Sequence, residues 1–162
     1  MSKYEELAKH AANYSRAGFV SRDAARVAAF RLVQGYAEHI QAPTEKFSFV
    51  KLDGRLQRTT VNTPFTREVP VILDVNAFWY FCFTLKFELP SDVAYVNQML
   101  TLGVRPEGEL ITVREERDFE IRFNDTASTQ RFYEYLVSET LREFDEPLRM
   151  QHGRIGFVLP ER

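Results

Sequence analysis

One acidic side chain stands in an otherwise apolar stretch of this sequence. Asp74 follows Val71, Ile72 and Leu73, and Asn76 comes two residues later. If the strand face that carries Asp74 is covered, the carboxylate must be paired or its pKa rises, and such a group can act as a general acid or base. Aspartate and asparagine are also frequent in turns, where their side chains bond nearby backbone N–H groups. Both interpretations stay open from the sequence.

Histidine and cysteine are scarce, and their spacing predicts no metal site. The histidines His10, His39 and His152 form no His-x-His or His-x-x-x-His pair, and there is no Cys-x-x-Cys. The seven glycines form neither a dinucleotide-binding motif nor a phosphate-binding loop. Cys82 has aromatic neighbours, so we expect a buried, unreactive thiol. The sequence therefore predicts no metal, no cofactor and no catalytic residue.

Arginine is concentrated in one polar segment, residues 54–67. Arg55, Arg58 and Arg67 occur there among threonine, glutamine and asparagine residues, with no acidic residue. Guanidinium groups suit bidentate contacts to anions. The segment could meet a phosphate or the acidic surface of a protein partner, and an exposed polar hairpin explains it equally well.

Apolar residues alternate along the chain from Val71 to Leu89, where every odd position is apolar. This period of two predicts either one long bent strand or two strands with a bulge near residues 74–76, with the odd face buried. Phe78, Tyr80 and Cys82 give the even face a second apolar patch. That patch could be buried in three ways: by the last helix, by a second subunit, or by a curl of the sheet that encloses a cavity.

The elements that position these residues fall into three zones. The first zone is rich in alanine, and its step at residues 17–20 with Ser21 as an N-cap predicts a helical hairpin. The second contains Asp53-Gly54, which predicts a two-residue β-hairpin loop. The fold class is α+β with a mostly antiparallel sheet of about six or seven strands. In chain order we expect the hairpin over about residues 2–40, the sheet over about 46–124, a helix over about 128–144 and a tail strand over about 154–159.

Composition bounds the class of protein. The 162 residues form one domain, 1–162, on length alone. The net charge of −2 argues against a dedicated nucleic-acid binder, because phosphate contacts need an excess of basic residues. Residues 1–81 carry a net charge of +3 and residues 82–162 a net charge of −5. A single cysteine, no signal-like apolar segment and no run of about 20 apolar residues predict a soluble, cytoplasmic protein away from membranes.

Three functional hypotheses follow, and the sequence leans against an enzyme. The first is a non-catalytic homodimer that binds a protein partner through a sheet face or the Arg55–Arg67 segment. The second is a binder of a small hydrophobic ligand, with Phe78 and Tyr80 lining an aromatic cavity and Asp74 and Asn76 as its polar groups. The third is a small enzyme that uses Asp74 with a histidine. In element order alone the chain resembles the helix-grip and small dimeric secretion-chaperone folds, without the first strand of the former or the interleaved helix of the latter.

Overall fold

Two helices pack against one face of an antiparallel sheet, which confirms the α+β class. The computed structural model describes residues 2–88, 95–145 and 155–158. A 3-10 turn at Thr44–Lys46 precedes the first strand. In chain order the elements are α1 (Lys3–His39), β1 (Phe47–Leu52), β2 (Arg58–Pro64), β3 (Ile72–Leu73), β4 (Trp79–Glu88), β5 (Tyr95–Glu107), β6 (Leu110–Arg114), β7 (Asp118–Arg122), α2 (Thr126–Asp145) and β8 (Ile155–Val158).

The predicted helical hairpin is wrong, because α1 is one continuous helix of 37 residues. Gly18 and its neighbours do not break it. A helix-interior glycine costs only about 1 kcal/mol relative to alanine, and the surrounding alanines favour continued i to i−4 bonding. Ser21 is therefore not an N-cap. The cap is Ser2, whose hydroxyl accepts a hydrogen bond from the Glu5 N–H at 3.2 Å, while Glu5 Oε2 accepts one from the Ser2 N–H at 2.7 Å.

The described residues form a sheet of eight strands, slightly more than expected, and six of them follow one another in the order β2-β1-β4-β5-β6-β7. The two short strands lie off this path, with β3 paired to β4 and β8 paired to β5. All described pairings are antiparallel. The predicted tail strand corresponds to β8, and its expected ends at Arg154 and Leu159 lie outside the described residues.

The alternating stretch from residue 71 contains two strands, as the second alternative expected, and a three-residue turn separates them. It is a β3–β4 hairpin in which Ile72 pairs with Tyr80 and Leu73 with Trp79. The turn takes its odd residues out of the core, so Val75 is 99% exposed and Leu73 is 51% exposed. The prediction of a buried odd face is therefore wrong for the first half of the stretch. The prediction is right for β4, whose central odd residues Phe81, Phe83 and Leu85 are buried. Leu89 lies outside the described residues.

Both helices cover the odd face of β4. The second half of α1 buries mostly small side chains, which lets the helix lie close to the sheet, and α2 buries Phe132 and Leu136 in the same cluster. Gly35 of α1 is required at the contact between the helices, since an added Cβ would collide with the Tyr133 hydroxyl. The even face of β4 carries no described helix.

Side chains of the sheet itself bury the even face. A second apolar cluster there has Phe78, Cys82 and Val50 completely buried and Tyr80 2% exposed. Leu56, Ile72 and Met99 pack around its edge. Gly103 leaves room for the Tyr80 ring, because a Cβ at that position would lie 2.9 Å from it. The patch is thus covered within the chain, and neither α2 nor a second subunit is needed to bury it.

Candidate functional site

The first half of α1 extends away from the rest of the molecule. Residues 3–21, which we call the arm, are all exposed, whereas burial begins at Arg22 and Ala25. At 1.5 Å per residue the arm is about 28 Å long. Several of its large apolar side chains face solvent, with exposed fractions of 80% for Tyr4, 68% for Leu7 and 84% for Tyr14. Exposed apolar surface of this extent on a regular element is typical of a protein-binding surface.

Five uncharged residues of the arm form one stripe. At 100° per residue, Tyr4, Leu7, Ala11, Tyr14 and Gly18 fall within a sector of about 80°. None of these five residues is charged, and the acidic and basic residues of the arm lie outside the sector.

The stripe continues the buried face of the same helix. Ala25, Ala29, Leu32 and Tyr36 occupy the same sector of α1, and each is at most 2% exposed. The sheet covers this face from residue 25 onward, and solvent covers it before residue 22. The arm therefore presents the same kind of surface that the sheet buries further along α1.

A hydrogen bond marks the point where the arm meets the sheet. The indole Nε1–H of Trp79 donates to the Ser21 hydroxyl at 3.0 Å. Trp79 begins β4, so the bond ties the end of the arm to a central strand. Because α1 also continues without a break from the arm into the residues that pack on the sheet, the direction of the arm is fixed relative to the rest of the described chain, which we call the body.

Asp74 and Asn76 lie in the turn between β3 and β4. The Asp74 carboxylate accepts hydrogen bonds from the backbone N–H groups of Asn76 at 2.9 Å and Phe78 at 3.0 Å. Ala77 adopts a left-handed φ of 63°, which completes a three-residue hairpin loop. Within the described residues, Asp74 has no histidine or second acid among its hydrogen-bond partners. The carboxylate stabilises a turn, as the alternative interpretation of the sequence allowed.

The Asp53-Gly54 hairpin has the same design. It is confirmed as a hairpin, but its loop has three residues instead of two, with Leu56 at a φ of 59°. Asp53 Oδ1 accepts hydrogen bonds from the N–H groups of Arg55 at 2.8 Å and Gln57 at 2.9 Å. Gly54 is not the residue with positive φ, so the two-residue loop that its position suggested does not form.

Phe78 and Tyr80 are packed inside the second cluster. Two guanidinium groups lie close to the Phe78 ring, with Arg114 at 3.9 Å and Arg105 at 4.7 Å from its centre. Such cation–π contacts cover an aromatic ring where no helix is available. Arg114 also bonds Asp118 through two nitrogens, at 2.8 and 3.0 Å, and this pairing holds the pKa of the Asp118 carboxyl below its usual range.

The three arginines of residues 54–67 do not form one patch. Arg55 is exposed at the hairpin turn. Arg58 lies on the even face, where its Nη1 is 3.7 Å from the Met99 sulfur, whereas the Arg67 guanidinium lies 5.6 Å from the Phe30 ring of α1. Arg58 and Arg67 thus contact opposite faces of the sheet, and a single anion cannot meet both.

Cys82 is buried in the second cluster, as expected. Burial raises the pKa of its thiol, and the nearby Thr101 and Arg58 oppose the shift only partly. In residues 2–88, 95–145 and 155–158, no group of three or more His, Cys, Asp or Glu side chains is placed to hold a metal ion. His152 lies outside the described residues.

Comparison with protein-family models, curated proteins and solved structures gives no match. Across the described residues, α1 and α2 are each too polar or too short to cross a lipid bilayer.

A mostly apolar opening lies beside α1. It has a volume of about 480 Å³ and is bounded by Val27 and Arg31 of the helix, Pro106 and Ile111 of the sheet, and Phe123. The Arg31 guanidinium stacks 4.1 Å from the centre of the Phe123 ring and fills part of its wall. Neither this opening nor the more polar groove of about 830 Å³ beside Asp118 and Arg131 is lined by Phe78, Tyr80 or Asp74.

The arm is the feature that sequence reasoning missed. Leu7, Ala11 and Tyr14 do form a stripe at spacings of four and three, which is also the spacing of an ordinary buried helix face. The signal that separates the two cases is length. A continuous helix of 37 residues is about 55 Å long and exceeds what a domain of this size can cover.

Proposed function

We propose that the protein is a non-catalytic interaction protein that acts as a homodimer, with the two chains joined through their arms. The observation that supports this most is the uncharged stripe of Tyr4, Leu7, Ala11, Tyr14 and Gly18, which solvent covers in the single chain. Leaving such side chains in water forfeits roughly 1.5–3 kcal/mol for each large one. A capped, rigid helix that keeps this surface available needs a binding partner.

The available area suits an association between two copies. Tyr4 and Tyr14 each present about 150 Å² of surface, since a buried aromatic side chain contributes about 150–250 Å². With Leu7, one arm offers roughly 400 Å² from its large side chains, or about 800 Å² for two arms. The small residues between them bring the total close to the roughly 1,000 Å² of a specific interface.

The proposal places dimerisation on the arm and not on the sheet. The even-face patch of Phe78 and Tyr80 is already buried within the chain, so it offers no apolar surface to a second copy. We also propose a cytoplasmic location, because the chain has a single cysteine and so cannot form the intrachain disulfides that are typical of secreted proteins. We also propose that an acidic protein partner binds at the hairpin turn that carries the exposed Arg55. The charge reversal Arg55→Glu should then weaken the binding of an acidic peptide such as hexaglutamate.

Sedimentation velocity tests the homodimer with two matched lysine variants. Tyr14→Lys places a charge in the stripe, while Asn13→Lys places one on the opposite side of the helix. The unsubstituted protein and Asn13→Lys should sediment at twice the 18.9 kDa chain mass, and Tyr14→Lys should be monomeric. Circular dichroism should show the same helix content for both variants under conditions where each is folded.

Two results would count against this proposal. Monomeric behaviour of the unsubstituted chain at high micromolar concentration would remove the homodimer. A reproducible small-molecule adduct on a monomer would favour the hydrophobic-ligand alternative, with the opening beside Val27 and Phe123 as its nearest described site.

A further inference from the structure

We infer that the two arms pack antiparallel, in a register that sets each large side chain of one stripe against a small residue of the other. This inference rests on the proposed homodimer and names the arrangement of its copies. Three observations carry it: the order of large and small residues in the arm, the shared face of stripe and body, and the length of the arm.

Large and small residues are distributed asymmetrically along the stripe. Within the stripe Tyr4, Leu7 and Tyr14 are large and Ala11 and Gly18 are small, and Ser21, which lies about 20° outside the stripe at the end nearest the sheet, is small as well. In an antiparallel pair centred between residues 12 and 13, each large residue meets a small one. Tyr4 lies beside Ser21 of the partner subunit, Leu7 beside Gly18 of the partner subunit, and Ala11 beside Tyr14 of the partner subunit.

This register keeps the distance between the helix axes nearly uniform. Protein interiors are close-packed, so gaps and overlaps at an interface are both unfavourable. A parallel pair in register would set Tyr4 against Tyr4 and Tyr14 against Tyr14, while Ala11 and Gly18 would face their own copies across a gap. Gly18 has open space around its Cα, with nothing within 4 Å of an added Cβ, so it can receive a leucine side chain.

The position of the body excludes the parallel pair on geometric grounds. The stripe lies on the same side of α1 as the face that the sheet covers from Ala25 onward. A second helix lying on the stripe and running parallel would continue into the space that the body occupies. An antiparallel helix instead ends where the body begins, and its own body lies beyond the other end of the arm.

The arm length fits this arrangement. The arm ends at Ser21 and its first stripe residue is Tyr4, so the two pair at each end of the overlap. Each residue of the stripe, and Ser21 beside it, then lies opposite a residue of the partner arm. The two bodies, attached near residue 31, lie about 55 Å apart along the helix direction.

Disulfide trapping tests the register with Leu7→Cys and Gly18→Cys, alone and combined. In the antiparallel register these positions are opposite each other, so the double variant should form a covalent dimer under mild oxidation. Each single variant places its cysteine about 16 Å from its copy, beyond the roughly 7 Å between Cα atoms that a disulfide allows. The same separation prevents a bond within one chain. The unsubstituted protein is the control, because its Cys82 is completely buried.

The outcomes separate this inference from the homodimer itself. Covalent dimer from the double variant alone supports the register, whereas covalent dimer from either single variant overturns it and leaves a dimer of another arrangement. Because Leu7→Cys removes an interface side chain and Gly18→Cys adds one, both substitutions weaken the pairing, and small-angle X-ray scattering of the unsubstituted protein provides a second test. Two bodies separated by about 55 Å support the register, a compact dimer overturns it, and a monomer overturns the proposed function.

Discussion

Truncating Leu7 should weaken the dimer by an amount that the structure allows us to calculate. Leu7→Ala removes three carbon atoms, each worth about 0.8 kcal/mol when fully buried. Leu7 is 68% exposed in the single chain, so about two-thirds of this value becomes available on pairing, or about 1.6 kcal/mol. Two copies contribute to each dimer. The total is about 3 kcal/mol, which corresponds to a Kd roughly 150-fold higher.

Val20→Ala is the matched control for Leu7→Ala. Val20 is 69% exposed in the single chain, nearly the same as Leu7, but it lies about 180° around the helix from Ala11. Its truncation should leave the Kd within about threefold of the unsubstituted value. Neither variant should lower the stability of the monomer, because the side chains of both residues are exposed there.

Sedimentation equilibrium over a concentration series measures the Kd of all three proteins. Thermal unfolding at a concentration well below the Kd measures the monomer separately. Equal effects of Leu7→Ala and Val20→Ala on the Kd would refute the argument that the stripe is the interface. So would a Leu7→Ala protein that dimerises as tightly as the unsubstituted chain.

Three further predictions concern the body. Ala77→Gly should raise the urea midpoint by the equivalent of about 0.5–1 kcal/mol, because Ala77 has a left-handed φ of 63° that glycine adopts without strain. Val75→Gly in the same turn is the control and should lower the midpoint. A lower midpoint in both variants would contradict the argument that Ala77 is strained. Burial raises the pKa of Tyr36 and Tyr133, so their contribution to stability is full below pH 10 and falls as the pH rises above it. Urea midpoints between pH 8 and 11 should therefore decrease, and less steeply in Tyr133→Phe; a flat profile would contradict this. Cys82 should react with a thiol reagent such as dithionitrobenzoate only at the rate of unfolding, since burial raises the pKa of its thiol, and fast labelling of the native protein would show that the second cluster opens.

The fold class and the antiparallel sheet could be predicted from the sequence because they depend on local periodicity. The alternation of Phe81, Phe83 and Leu85 marks a strand half-buried by helices, and the structure confirms that face. The same alternation was misleading before Trp79. A three-residue turn after Asp74 interrupts the strand there. Its residues Val75 and Ala77 are apolar and are not typical turn residues, so the alternation continues through the turn in the sequence.

The extent of α1 was beyond sequence reasoning for an energetic reason. Gly18 and the following Phe19 and Val20 weaken helix propensity, which favours a break when the segment is considered alone. The helix that continues on both sides provides the nucleus, so adding each further residue costs little. Whether a helical stripe is covered depends on the position of the sheet, and local spacing carries no information about that.

The predicted binding residues show a similar limit. Phe78 and Tyr80 look available on the even face of β4 because no second helix layer follows them in the sequence. Phe78 is covered by Arg105 and Arg114, which are about 30 residues away and reach its ring only through the register of β4, β5 and β6. A sequence read without strand order cannot place those guanidinium groups over the ring.

Native mass spectrometry of the unsubstituted protein tests the central claim most directly. The account predicts a species at twice the 18.9 kDa chain mass without added partner or ligand, which dissociates to the chain mass in Tyr14→Lys. A monomer at every concentration up to the high micromolar range would contradict it. So would a dimer that Tyr14→Lys leaves intact, because the two chains would then be joined through another surface.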